Sequence, residues 1–273
     1  MVDCADGEGS VGRIIAIANQ KGGVGKTTTA VSLAAALAIA EKPVLLVDVD
    51  AQANSTRALG IGEDPQRPSL YDGLTGEVPL QDLVVPVEGL PYLHVLPADR
   101  NLIGAEVELV DVDRREFQLK EKLEPLRGRY DFLFLDCPPS LGFLTLNALT
   151  AADGILVPVQ CEYLALEGIT QLMDTLEKIR QSLNPGLAIE GVLMTMFDER
   201  TNLSRQVVDE VRGVFGAQVF QTVIPRNIRL GEAPSHGKPI FLYDIRSRGA
   251  EAYLSLAQEF LQHETQGVGQ GAP

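Results

Sequence analysis

The sequence predicts a doubly wound α/β fold, a mostly parallel sheet flanked by helices, on two observations. Apolar runs rich in Val, Ile and Leu recur along the chain with helical stretches between them, and they are continuous rather than alternating, as in strands covered on both faces. The first of these runs leads straight into a glycine loop, Lys21-Gly22-Gly23-Val24-Gly25-Lys26-Thr27-Thr28, which opens an apolar-periodic helix. Strand, glycine loop and helix in that order form a setting in which backbone N–H groups and a helix N-terminus cradle polyphosphate.

Taken in order, strands are expected at residues 14–18, 44–49, 93–96, 132–135, 155–159, 189–196 and 219–224, the apolar runs themselves. Helices are expected where apolar residues recur with helical spacing, at 26–40, 102–110, 116–126, 166–183, 203–215 and 250–263, with Gly216 as a C-terminal stop. The glycine- and proline-rich stretch 60–91 favours turns and short helices, a surface insertion and not a second domain. Residues 11–264 therefore read as one domain, between disordered tails at 1–10 and 265–273.

The 273 residues are 45% hydrophobic, enough for a substantial core. Cys4, Cys137 and Cys161 are widely separated, with no spacing suited to zinc or an iron–sulfur cluster, and read as reduced thiols. The N-terminus lacks the basic start and apolar segment of a signal peptide, and no apolar run reaches the ~18 residues of a membrane span, so a cytoplasmic protein is expected. The net charge of −14 is uneven: residues 200–248 hold eight Lys/Arg against four Asp/Glu, whereas residues 1–199 hold 15 against 30. Screening limits the reach of distant charge to about 10 Å at 0.1 M salt, so this basic segment can meet nucleic acid despite the acidic total.

Within the loop, Lys26 is placed to reach β/γ-phosphate oxygens and the Thr27 hydroxyl to ligate Mg²⁺. The second predicted strand runs into Asp48-Val49-Asp50-Ala51-Gln52-Ala53-Asn54, two carboxylates at the end that faces the ligand crevice of a parallel sheet. An aspartate there can position an attacking water or hold Mg²⁺ through water; capping of the following helix is the plainer role. The fourth strand, Phe132-Leu133-Phe134-Leu135-Asp136, is four apolar residues followed by an acid and leads into Cys137-Pro138-Pro139-Ser140; Asp136 would hold Mg²⁺ through a bound water. His94 sits inside a strand and reads as structural; phosphoryl transfer by positioning and charge stabilisation needs no histidine base.

With Gln20 where the usual phosphate loop has glycine, and with a second lysine at Lys21, the loop resembles the deviant Walker A box of the ParA/MinD/NifH group of P-loop, SIMIBI-like NTPases. The stretches Thr195–Asp198, 223–235 and 243–250 make the match closer: residues 13–262 resemble the ParA (Soj) partition ATPases. That resemblance implies an ATP- and Mg²⁺-dependent hydrolase that dimerises as a sandwich when ATP is bound. It further implies sequence-independent binding to double-stranded DNA, discharge by ParB and a nucleoid location. It puts Lys21 across the interface on the partner's nucleotide, Asp50 in the hydrolytic role, and Pro225, Arg226 and Asn227 beside the adenine. Arg200, Arg205, Arg226, Arg229, Lys238, Arg246 and Arg248 are the candidate DNA face, since guanidinium forks suit phosphate oxygens.

Three alternatives share the loop. A MinD-like positioning ATPase would end in a basic amphipathic helix lying on lipid, yet the last basic residue here is Arg248. A nucleotide-dependent interaction module that does not hydrolyse would show no stimulation by DNA and ParB. A nitrogenase-reductase-like carrier needs a cluster-bridging cysteine pair, and Cys137 and Cys161 lie outside that family's ligand setting.

Overall fold

The computed structural model describes residues 11–76, 78–163 and 165–268, with side chains through Glu264. Its strands are β1 (Arg13–Ile17), β2 (Val44–Asp48), β3 (Val85–Val87), β4 (Leu90–Leu96), β5 (Phe132–Asp136), β6 (Gly154–Gln160) and β7 (Ala188–Thr195). They form one sheet in the order β3-β4-β2-β5-β1-β6-β7, parallel throughout except for the β3–β4 pair at one edge. The helices are α1 (Lys26–Ile39), α2 (Asn54–Ala58), α3 (Leu70–Thr75), α4 (Ala105–Glu108), α5 (Gln118–Leu123), α6 (Phe143–Ala151), α7 (Ala165–Ser182), α8 (Asn202–Phe215), α9 (Ile228–Glu232), α10 (Ile240–Tyr243) and α11 (Arg248–Val268).

β2 and β5 are buried at every position, which explains their unbroken apolar runs: each face of the sheet has its own helical cover. On one face Ile15, Ile17, Leu46 and Phe134 pack against α1, α10 and α11. On the other, Ile14, Leu45, Val47 and Leu133 pack against α3 and α5 to α8. A hydrogen bond of 3.0 Å between the Thr29 and Tyr253 hydroxyls, both fully buried, pins α1 to α11.

Register decides where the site lies. Ile17 stands opposite Asp136, and Asp136 opposite Asp48, so β1, β2 and β5 end at the same level. The glycine loop, the Asp48–Asn54 turn and the Cys137–Gly142 loop all emerge there, at the carboxyl edge where open α/β sheets bind ligands.

Five expectations need correction. The helix expected at 102–110 is a 3-10 turn over Arg100–Gly104 followed by the four-residue α4. Residues 219–224 do not form a strand. Phe220 and Ile224 donate their N–H groups to Val192 and Met194 of β7 at 3.0 and 2.9 Å, but those of Gln221 and Thr222 go to the Glu259 carboxylate at 2.6 and 2.9 Å. The ladder is thereby interrupted, leaving single bridges at Val219 and Pro225. The helix expected at 116–126 is a short α-helix, α5, between two 3-10 turns, the second holding Pro125, which has no N–H to donate. α6 arises where no helix was expected; it is apolar and buried nearly all round, so it carries no periodic signal. The last helix begins at Arg248 and runs to Val268, so residues 265–268 of the expected tail are helical; residues 1–10 and 269–273 lie outside the described residues. Gly216, with φ 54°, ends α8 as expected. No helix among the described residues is long and apolar enough to cross a membrane.

Candidate functional site

The glycine loop is held from below by Asn19, which sequence reasoning missed. Its amide donates to the Pro158 carbonyl at 2.8 Å on β6, and its Oδ1 accepts from the Lys21 N–H at 3.0 Å. Gly23 and Gly25 take left-handed φ values of 74° and 90°, a conformation costly for residues with a Cβ. Val24 is buried between them, and its carbonyl accepts from the Thr195 hydroxyl at 2.8 Å, tying the loop to β7. Lys26 is 6% exposed, with Nζ 3.1 Å from the Lys21 carbonyl. Burial lowers its pKa, opposed by the negative potential of Asp136 and Asp50. Gly22 and Gly23 are exposed, and the Thr27 and Thr28 side chains are half-buried at the start of α1. Lys21 is half-exposed and pairs with Glu162 of its own chain at 3.3 Å.

The three carboxylates have separate environments. Asp48 is fully buried and accepts from the Thr56 N–H and hydroxyl at 2.9 and 2.7 Å and from the Asp50 N–H at 3.2 Å, the role of a brace for α2. Asp50, 8% exposed, faces the loop cavity and accepts from the Gln52 N–H at 2.9 Å. Asp136 is fully buried; one oxygen accepts from the Ser55 hydroxyl, whereas Oδ1 is buried with no partner. The Thr27 side chain lies close enough to this carboxylate to oppose the rise of its pKa. An orphaned carboxylate oxygen beside a threonine hydroxyl is a donor set that suits a hard cation such as Mg²⁺. Ser55 went unrecognised in the sequence because it stands on α2, brought to β5 only by the turn at Ala53, whose φ is +51°.

Burial is the main cause that raises the Asp48 carboxyl to about 7 and the Asp136 carboxyl to about 6; for Asp48 its neighbour Asp136 adds to the shift. Both therefore hold a proton more tightly in the folded chain than in the unfolded one, where aspartate titrates near about 3.9. Their stabilising contribution is complete below about pH 4 and is lost as pH rises toward about 7. We expect the metal-free protein to melt lower at pH 7.5 than at pH 5, by about 2–4 °C per kcal/mol lost. His94, its pKa lowered by burial, acts in the opposite sense, one group against two. Calorimetry across this range checks the sign, and a midpoint that rises with pH refutes it.

Cys137 and Cys161 are both free and buried, which pushes the Cys161 thiol up to about 12 and the Cys137 thiol higher still. Neither is poised as a nucleophile or ligand.

A cavity of about 1020 Å³ lies above the loop, bounded by Gly25, Lys26, Thr27, Asp50 and Pro139 and reaching Gly60 and Gly237 on its far side. A second cleft of about 350 Å³ shares Gly25 and Thr28 with it and is mostly apolar. Pro225, Arg226 and Asn227 line this cleft with Ile224, Leu230 and Tyr253. Met196 borders both spaces with φ +52°, a strained conformation for a side chain of that size.

The seven candidate DNA-facing side chains are all exposed. Arg200 grips Asp198 through two nitrogens at 2.9 and 2.7 Å, holding that carboxyl far below the usual range. Arg205 donates to the Glu199 carbonyl and Arg248 to its carboxylate at 2.9 Å, while Arg226 adds positive potential at Asp198. Arg229 pairs with Glu232 and Asp244, and Arg246 follows Asp244. Lys238 stands apart, near α1. Three of the seven, Arg200, Arg229 and Arg248, are thus partly neutralised within the chain.

A family model described as an AAA domain matches residues 12–189. The chain is 56% identical over 259 residues to the chromosome partitioning protein ParA of Myxococcus xanthus, covering 95% of this chain and 91% of that protein. It is 55% identical over 249 residues to the sporulation initiation inhibitor protein Soj of Bacillus subtilis, covering 91% and 98%. A solved structure described as cobyrinic acid a,c-diamide synthase from Mycobacterium smegmatis, with bound ATP analog and magnesium, superposes with a TM-score of 0.82 at 40% identity, covering 94% of this chain and 97% of that one.

Proposed function

This chain belongs to the ParA/Soj family of chromosome-partitioning ATPases, and from that membership we propose a specific division of labour among its residues. ATP occupies the loop cavity, with its phosphates on the N–H groups of Gly22 to Thr28 and its adenine in the cleft lined by Pro225, Arg226 and Asn227. Lys26 leaves the Lys21 carbonyl for the phosphates. Thr27 and Asp136 hold Mg²⁺, which neutralises charge on the phosphate oxygens. Asp50 orients the attacking water. The observation that carries this reading is the orphaned Asp136 Oδ1, buried next to Thr27 at the head of α1 and within the electrostatic reach of Lys26.

Two ATP-loaded copies join face to face, with each Lys21 exchanging Glu162 of its own chain for the other copy's nucleotide. The dimer presents two arginine surfaces to double-stranded DNA, and two weak grips held together gain affinity through effective concentration. Hydrolysis, stimulated by ParB and DNA, dissolves the dimer, and the protein is associated with the nucleoid while ATP is bound. Sedimentation of the purified protein with and without ATP and Mg²⁺ tests the core of this reading; a monomer under both conditions overturns the dimer switch.

DNA affinity should fall with salt, with a log–log slope of about −0.9 for each phosphate neutralised. Arg246 is exposed and its side chain has no partner among the described residues, so it can contact a phosphate without giving up an internal ion pair. Arg246→Ala should reduce the slope's magnitude by about 0.9 and leave ATP turnover without DNA unchanged. An unaltered slope removes Arg246 from the interface.

A further inference from the structure

The segment following β4 is apolar on two sides. Leu102, Ala105 and Leu109 face inward and are buried, whereas Ile103, Val107 and Val110, at helical spacing on the outside, are 62%, 74% and 52% exposed. Three apolar side chains exposed together on one short segment are the kind of patch that marks an interaction site. Leu141, itself exposed, adds to the same region. Glu106, on α4, accepts from the Phe143 N–H at 3.0 Å, which ties α4 to the start of α6.

Charge decides what can sit there. Residues 99–113 hold five carboxylates, Asp99, Glu106, Glu108, Asp111 and Asp113, against one arginine, Arg100. A second copy of this chain docked by two-fold symmetry would bring that acidic rim against itself. A partner with the opposite charge would not suffer this repulsion. We propose that Ile103, Val107, Val110 and Leu141 form the docking surface for the activating partner, through a segment of that protein that presents apolar side chains flanked by Lys or Arg.

This assignment rests on the reading that a ParB protein stimulates hydrolysis. Seating a partner here would be felt at the phosphates, because the loop joined to α6 carries Asp136 at one end and Pro139 on the cavity wall. Val107 touches neither nucleotide cavity, so its substitution acts on docking alone.

The test uses full-length protein with ATP, Mg²⁺, duplex DNA and the purified ParB protein of the same organism. Val107→Asp should keep the unstimulated turnover and the ATP-dependent dimer of the wild type but lose at least about nine-tenths of the ParB-dependent increment. Val214→Asp, at an equally exposed site on α8, should keep that increment. Full stimulation of Val107→Asp overturns the docking surface while leaving the parent reading intact. Loss of the ATP dimer in Val107→Asp also overturns it, since the face would then be covered by a second copy. A wild-type protein that ParB fails to stimulate overturns the parent reading and this assignment with it.

Discussion

Lys26→Gln is expected to abolish measurable nucleotide binding. The ammonium is almost fully buried, its pKa is lowered chiefly by that burial, and its nearest charged neighbours are Asp136 and Asp50. In the absence of ligand it is parked on the Lys21 carbonyl, so it enters the complex already desolvated and aimed along the loop. Removing one partner of a buried charge interaction costs about 3–5 kcal/mol, a loss of roughly 10²–10³-fold or more in affinity for the triphosphate. Glutamine keeps a donor but loses the charge and falls one atom short of Nζ, so the substitution removes both the charge and the reach of the ammonium. Titration calorimetry with a non-hydrolysable ATP analogue reads the outcome, and an affinity within tenfold of wild type would falsify the role assigned to Lys26. The same change leaves the carboxylates of Asp50 and Asp136 without their cation. The ligand-free protein should therefore also melt earlier near neutral pH.

Asp50→Ala should separate binding from turnover. Asp50 is the one carboxylate of the three that lines the loop cavity, and the only hydrogen bond to its side chain among the described residues is the local turn from the Gln52 N–H. Removing a group that orients the nucleophilic water typically lowers the chemical step by about 10²–10⁴-fold. Loss of a negative charge close to the terminal phosphate does nothing to weaken ATP. The variant should accumulate as an ATP-bound dimer that stays on DNA, seen as doubled mass in light scattering and as slow release in a filter-binding chase. The structural cost is confined to one turn hydrogen bond, about 1 kcal/mol, so the fold should survive. Undiminished hydrolysis, or a variant that remains monomeric with ATP, would count against Asp50 as the water-positioning residue. Asp48→Ala makes the contrast: three hydrogen bonds to Thr56 and Asp50 are lost there, so that change should act on stability before it acts on chemistry.

What the chain dictated by itself is what depends on local order. Lys21 to Thr28 between an apolar run and a periodic helix fixed the phosphate loop, because its geometry is built from neighbouring residues and glycine's access to positive φ. Asp136 was legible for the same reason, as the last residue of a run buried on both faces. Tertiary structure alone decided the rest. Asp48 and Asp50 differ by two positions, yet only packing against α2 makes one a brace and leaves the other open to the cavity. Residues 219–224 have the composition of a strand, but Glu259, far along the sequence, takes the N–H groups that a ladder would need. α6 is too uniformly apolar to show a period, and Arg248 meets the Glu199 carboxylate, 49 residues earlier, only because the fold brings them together. Local patterns are written in adjacent residues; burial, charge pairing and backbone competition are set by which distant segments the fold brings together.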